Sequence, residues 1–91
     1  MVYPRGRAGD SDALHNLGFL YANGMGVRQD MKQALRLWHE AAEQGHPVSQ
    51  FNLGMTYYQE GNYSEAAKWL KKSAEQGYMQ AQYILSMMQN D

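Results

Sequence analysis

The sequence predicts an all-α fold in which one helix pair recurs about two and a half times, and three observations point to it. "AAEQGH" at Ala41 to His46 returns as "SAEQGY" at Ser73 to Tyr78, 32 residues later. "NLG" at Asn16 to Gly18 returns at Asn52 to Gly54, 36 residues later. Within each recurring block the apolar residues fall at helical spacing rather than in the alternation of a strand. Self-similarity at a period of roughly 20–50 residues marks stacked supersecondary units, none of which buries its apolar face alone.

Unequal steps mean that chain length changed between the two blocks. The first connection is "GMGVRQDMKQA" and the second the shorter "GNYSEA". Length changes collect in loops because few buried groups depend on them, so the blocks are helices and these segments join them. Five helices follow, near residues 10–23, 31–44, 47–60, 63–76 and 79–90, after an irregular tail over 1–9. The repeat domain spans 10–91, with unit one at 10–45, unit two at 46–77 and a half unit at 78–91.

Each helix has its own warrant. In the first, Ala13, Leu17, Leu20 and Tyr21 share a face behind Asp10, a good N-cap. In the second, Met31, Ala34, Leu35, Trp38, Ala41 and Ala42 form one stripe behind Asp30. The third opens with Pro47, suited to a first turn, and repeats the first helix's face with Ser49, Leu53 and Tyr57. The fourth carries Tyr63, Ala66, Ala67, Leu70 and Ala74, and Asn62 with Glu65 has capping-box spacing. The fifth restarts the first block, with Ala81 and Leu85 in place of Ala13 and Leu17. Gly45 and Gly77 suit the position just past a helix C-terminus. Gly18 and Gly54 lie inside helices, where each costs about 1 kcal/mol relative to alanine. A cost repeated at equivalent positions predicts close approach of paired helices. Ala34, Ala41, Ala66 and Ala74 are expected to face these glycines, with Trp38 or Leu70 filling the space.

These residues resemble a known pattern. "ALHNLGFLYANGMGVRQDMKQALRLWHEAAEQG" looks like a Sel1-like repeat, a relative of the tetratricopeptide repeat. The resemblance runs through Leu17, Gly18, Tyr21, Gly24, Gly26, Asp30, Ala34, Ala42 and Gly45, then through Leu53, Gly54, Tyr57, Gly61, Ala66, Trp69, Ala74 and Gly77. Unit two departs at "GNYSEAAKW", where its turn is closer to an ordinary tetratricopeptide repeat. The resemblance implies an α/α solenoid that serves as an adaptor or scaffold for other proteins. The fold expected is therefore a right-handed superhelix, with the first helix of each pair on the concave face.

That geometry nominates a partner-binding surface. Residues off the packing stripe of the first-of-pair helices are Asp12, His15, Phe19 and Asn23, then Val48, Phe51, Met55 and Tyr58, then Gln80, Tyr83 and Met87. Exposed aromatic and methionine side chains suit adaptable recognition. The alternative reading is that the aromatics at Phe51 and Tyr83 serve packing between repeats.

Other chemistry finds little support. "HEAAEQGH" at His39 to His46 begins like a zinc-binding helix, which needs histidines at i and i+4. Here the i+4 residue is Glu43, and His39 and Glu40 become Lys71 and Lys72 in the sister unit, as on a solvated face. "GMGVR" lacks the strand and the Lys-Ser/Thr pair of a phosphate loop. No spacing sets a base beside a nucleophile. The expectation is a chain that is not an enzyme and carries no metal or cofactor.

Bulk composition agrees. With 91 residues, eight basic and nine acidic side chains, the chain offers no electrostatic footprint for nucleic acid. It has no cysteine and no apolar run long enough to enter a membrane. As written it is expected to be cytoplasmic, or periplasmic or secreted if a leader was removed upstream. The expected partner is a protein or peptide. The residues of the fifth helix, with Tyr83, Ile84, Leu85, Met87 and Met88 and no charge, read as the opening of another repeat. The array then continues, self-associates through its ends, or is closed by this helix acting as a cap.

Overall fold

The computed structural model describes residues 10–89. Five α-helices occupy them: α1 Ser11–Asn23, α2 Met31–Glu43, α3 Pro47–Gln59, α4 Tyr63–Glu75 and α5 Met79–Gln89. Each helix packs chiefly on its neighbours in the chain, α1 on α2, α2 on α3, α3 on α4 and α4 on α5. This is the quasi-one-dimensional contact order of an all-α repeat stack. The seven-residue connection Gly24–Asp30 folds back on α1, with the Asp30 amide donating to the Tyr21 carbonyl at 2.9 Å. The second connection, 60–62, is a tight turn.

Helix boundaries follow local chemistry. Asp10, Asp30 and Asn62 each accept backbone N–H groups from the first turn of α1, α2 and α4. The cap of α3 is His46, whose Nδ1 accepts from the Ser49 amide at 3.1 Å. Sequence reading missed it, because imidazole is an uncommon cap. At the other end, α2 and α4 close identically. His46 N–H reaches the Ala41 carbonyl and Gly45 N–H the Ala42 carbonyl, as Tyr78 and Gly77 do to Ser73 and Ala74. This closure needs a left-handed residue after the cap, and Gly45 and Gly77 supply it at φ 95° and 90°. A second repeated bond follows. Gln50 Nε2 donates to the Ala42 carbonyl and Gln82 Nε2 to the Ala74 carbonyl, at 3.0 and 3.1 Å. The first turn of each following helix thus satisfies a C-terminal carbonyl of the one before it.

The close approach expected at the internal glycines is present. A Cβ on Gly18 would lie 2.7 Å from Cδ1 and Nε1 of Trp38, and 3.2 Å from the Ala34 carbonyl oxygen. A Cβ on Gly54 would lie 2.8 Å from Cγ of Leu70. Ala41, Ala66 and Ala74 are not among the nearest neighbours of either glycine. Each socket is filled by one large side chain of the paired helix, and these alanines pack elsewhere. Trp38 also donates its Nε1–H to the His15 carbonyl at 3.2 Å.

Burial departs from the expected stripes in an informative way. Leu53 is 3 % exposed, yet its counterpart Leu17 is 40 % exposed. Ser49 and Ala81 are buried, whereas their counterpart Ala13 is exposed. Both differences have one cause: among the described residues α1 has no helix before it, while α2 and α4 cover α3 and α5. Leu37 and Trp69 lie off the expected stripe and are nevertheless buried. The second helix of a pair packs on its own partner and on the next unit, so it buries two faces. Met31 and Tyr63, expected in the stripe, are exposed where they open their helices.

Two measurements test these devices. Gly54→Ala should destabilise the fold by up to about 2 kcal/mol in urea unfolding, because overpacking against Leu70 costs about 1–3 kcal/mol and exceeds the ~1 kcal/mol gained in helix propensity. Pairing it with Leu70→Val should cost less than the sum of the two single losses. His46→Ala should lower stability by about 1 kcal/mol, and His46→Asn, a good cap, should recover most of that.

Candidate interaction surface

The residues nominated from the sequence fall into three settings. Asp12 and His15 belong to a polar seam between α1 and the start of α3. Asp12 Oδ1 lies 2.8 Å from His46 Nε2, and His15 Nδ1 lies 2.8 Å from Ser49 Oγ. The His15 ring stacks on His46 with centroids 4.8 Å apart, and more loosely on Trp38 at 6.1 Å. Because Ser49 N–H donates to His46 Nδ1, the proton of the neutral ring sits on Nε2, facing Asp12.

A second group lines an open cleft of about 400 Å³ between α1, α2 and α3. Phe19, Phe51 and Met55 meet there, and Phe19 is 48 % exposed. Phe51 is half-buried, tilted against Tyr78 at 5.1 Å between ring centroids. It therefore packs and lines the cleft at once. Sequence reading missed the polar wall of Asn52, Thr56 and Gln59, and the edge of Trp38. Their signal was available, since Asn52, Thr56 and Gln59 are spaced i, i+4 and i+7 along α3. Asn23, also on this cleft, donates from Nδ2 to the Phe19 carbonyl at 2.9 Å.

A third group lies toward α5. Tyr58 and Met87 line a cleft of about 500 Å³ with Tyr63 and Met88, and the Tyr58 and Tyr63 rings meet edge to face at 5.3 Å. Tyr83 is 66 % exposed and belongs to neither cleft. Val48 is half-buried, and Gln80 is exposed and accepts from the Tyr78 hydroxyl at 3.1 Å. The eleven nominated positions therefore divide among a seam, two clefts and isolated surface rather than one continuous strip.

The histidines of "HEAAEQGH" separate. His39 is half-buried with its ring edge-on to Trp69, so it does not sit on a fully solvated face; Glu43 lies 3.5 Å from its Nδ1. His46 caps the next helix. Among the described residues no group of three or more His, Asp or Glu side chains is placed to hold a metal ion, and no helix is long and apolar enough to cross a membrane.

The seam generates a pH prediction. Burial lowers the His15 pKa below 6.5, a nearby His46 charge lowers it further, and Asp12 partly offsets both. The folded state therefore binds the His15 proton less readily than the unfolded chain. Its stability contribution is full above pH 6.5 and falls as pH drops through the lower folded value. Urea midpoints measured from pH 7.5 downward should decline over that window, and His15→Gln should flatten the decline.

Comparison with known proteins places these features. Residues 11–46 match the Sel1 repeat model and residues 47–76 a tetratricopeptide repeat model. The chain is 41% identical over 81 residues to an F-box protein of Arabidopsis thaliana. It is 34% identical over 73 residues to a sel1-like repeat-containing protein of Acanthamoeba polyphaga mimivirus. These alignments cover 87% and 79% of this chain but only 22% and 14% of the relatives, so the chain spans a small part of their length. A Sel1 repeat protein from Oxalobacter formigenes superposes with a TM-score of 0.83 at 35% identity, covering 89% of this chain and 35% of the other. A protective antigen of uropathogenic Escherichia coli with an SLR fold gives 0.81 at 36%, covering 91% and 19%. Repeats of this kind are generally protein-interaction modules. The repeated glycine sockets, the matching helix closures and these likenesses agree, and the chain belongs to the Sel1-like repeat family, relatives of the tetratricopeptide repeat.

Proposed function

We propose that this chain is a non-catalytic interaction module that takes a peptide or partner helix along its first-of-pair helices. The observation that carries the reading is the cleft between α1 and α3. There the exposed ring of Phe19 and the half-buried Phe51 and Met55 stand beside the amides of Asn52 and Gln59. Apolar anchors provide burial, and nearby amides can pair with the backbone of a bound segment, which would otherwise lose its hydrogen bonds to water.

A second reading is supported by one specific feature. Met79 and Tyr83 on α5 are 73 % and 66 % exposed, and with Met87 they leave an apolar face at the described end of the stack. Repeat units bury such faces against a neighbour, so self-association through this end is the alternative.

Peptides selected against the whole chain from a displayed library provide the test. Phe19→Asp, on a side chain that is 48 % exposed and belongs to neither apolar cluster, should weaken the selected peptides by about tenfold or more, as loss of an anchor does. Unchanged binding by a folded Phe19→Asp variant overturns the cleft reading. If light scattering instead shows an oligomer that Tyr83→Asp dissolves, while no peptide is selected, self-association is the correct reading.

A further inference from the structure

A third cleft, of about 530 Å³, runs between α2 and α4 above the start of α3 and shares no lining residue with the other two. Trp69 lines it and is only 4 % exposed. Among the described residues, the buried Trp69 Nε1–H has no hydrogen-bond partner. Such a donor costs free energy, and Trp38 shows the usual remedy with its bond to the His15 carbonyl. Over the Trp69 ring lie the ammonium groups of Lys68 and Lys72, 5.3 and 5.9 Å from its centroid. Lys68 has Glu65 at 3.9 Å, and among the described residues Lys72 has no carboxylate within ion-pair distance.

The side-chain amides of the cleft already have partners. Gln76 Nε2 donates to the Gly45 carbonyl and to Gln50 Oε1, and Gln50 Nε2 donates to the Ala42 carbonyl. Of the two acidic residues in the lining, Glu43 sits beside His39, and Glu75 is exposed. Trp69 Nε1–H alone is buried with no partner among the described residues, and the Lys72 ammonium lies over the same ring on a four-carbon stem. The geometry points to a carboxylate-binding site here, in which side chains of the lining shift to uncover Trp69 Nε1–H, an oxygen accepts from it, and Lys72 supplies the countercharge. The ligand is the carboxylate of a peptide, either an acidic side chain or a chain terminus. Neutral acceptors satisfy only the indole, and phosphates add a second charge against Glu43 and Glu75. This site stands independently of the α1–α3 cleft.

The two indole N–H resonances of the whole chain provide the readout. Trp69→Phe removes one of them and so assigns it; if that variant does not fold, Trp38→Phe assigns the same peak by elimination. The probes are N-acetylglycine, with a terminal carboxylate, and N-acetylglutamate α-amide, with a side-chain one. Sodium chloride at equal ionic strength and N-acetylglycinamide are the blanks. The Trp69 peak should shift and saturate in the millimolar range with the carboxylates, and the Trp38 peak should stay in place. The acid with the lower half-saturation identifies the source. Lys72→Gln should raise that concentration roughly two- to fivefold, and Glu75→Gln should lower it. A Trp69 peak that does not move, or moves as much with the neutral amide or with salt, overturns the assignment, as does an unchanged half-saturation in Lys72→Gln.

Discussion

The stack depends on how closely paired helices approach, and that distance is set at two points. Gly18 and Gly54 remove one methyl each, and Trp38 and Leu70 occupy the space so made. Interiors pack to crystal-like density, so a socket that lacks one Cβ can accept only the side chain shaped to it. Because the glycine lies within a helix, it weakens local structure by about 1 kcal/mol in favour of packing. That exchange recurs in both full units although the filling residue differs. What is repeated is the gap, and the side chain that fills it can vary.

Once the pairs are fixed, the units must join, and here polar groups carry more of the geometry. The left-handed glycine at the end of α2 and α4 turns the chain so that the next helix starts beside the last carbonyls. Gln50 and Gln82 then bond those carbonyls. Ser73 Oγ adds a bond to the Pro47 carbonyl at 2.8 Å, and Gln76 bridges to Gln50. Between α1 and α3 the corresponding link is the Asp12–His46 and His15–Ser49 seam. Titratable groups therefore sit at a joint between units.

Surface and packing are not separate in so thin a structure. Phe51 lines a cleft and also supports the second apolar cluster; Met55 and Tyr58 do likewise. A stack two helices deep has few positions that face only inward, so recognition residues double as core. Trp69 illustrates the reverse. It anchors the cluster with Ala42 and Leu53 while its indole nitrogen remains unpartnered beside an open cleft.

The sequence by itself determined the repeating architecture. Five helices, the glycine ends of α2 and α4, the Asp10, Asp30 and Asn62 caps and the Trp38 and Leu70 sockets were all legible, because each rests on short-range periodicity or on one residue's backbone chemistry. Tertiary structure decided which equivalent positions are buried. Leu17 and Leu53 share a place in the repeat, and only the second lies between two neighbouring helices. It also decided that His46 caps α3 while bonded to Asp12, and that Phe19, Phe51 and Met55 share a cleft to which Tyr83 does not belong. A repeat in sequence specifies what each unit can bury. Burial itself depends on which helices flank that unit, and no local pattern encodes this.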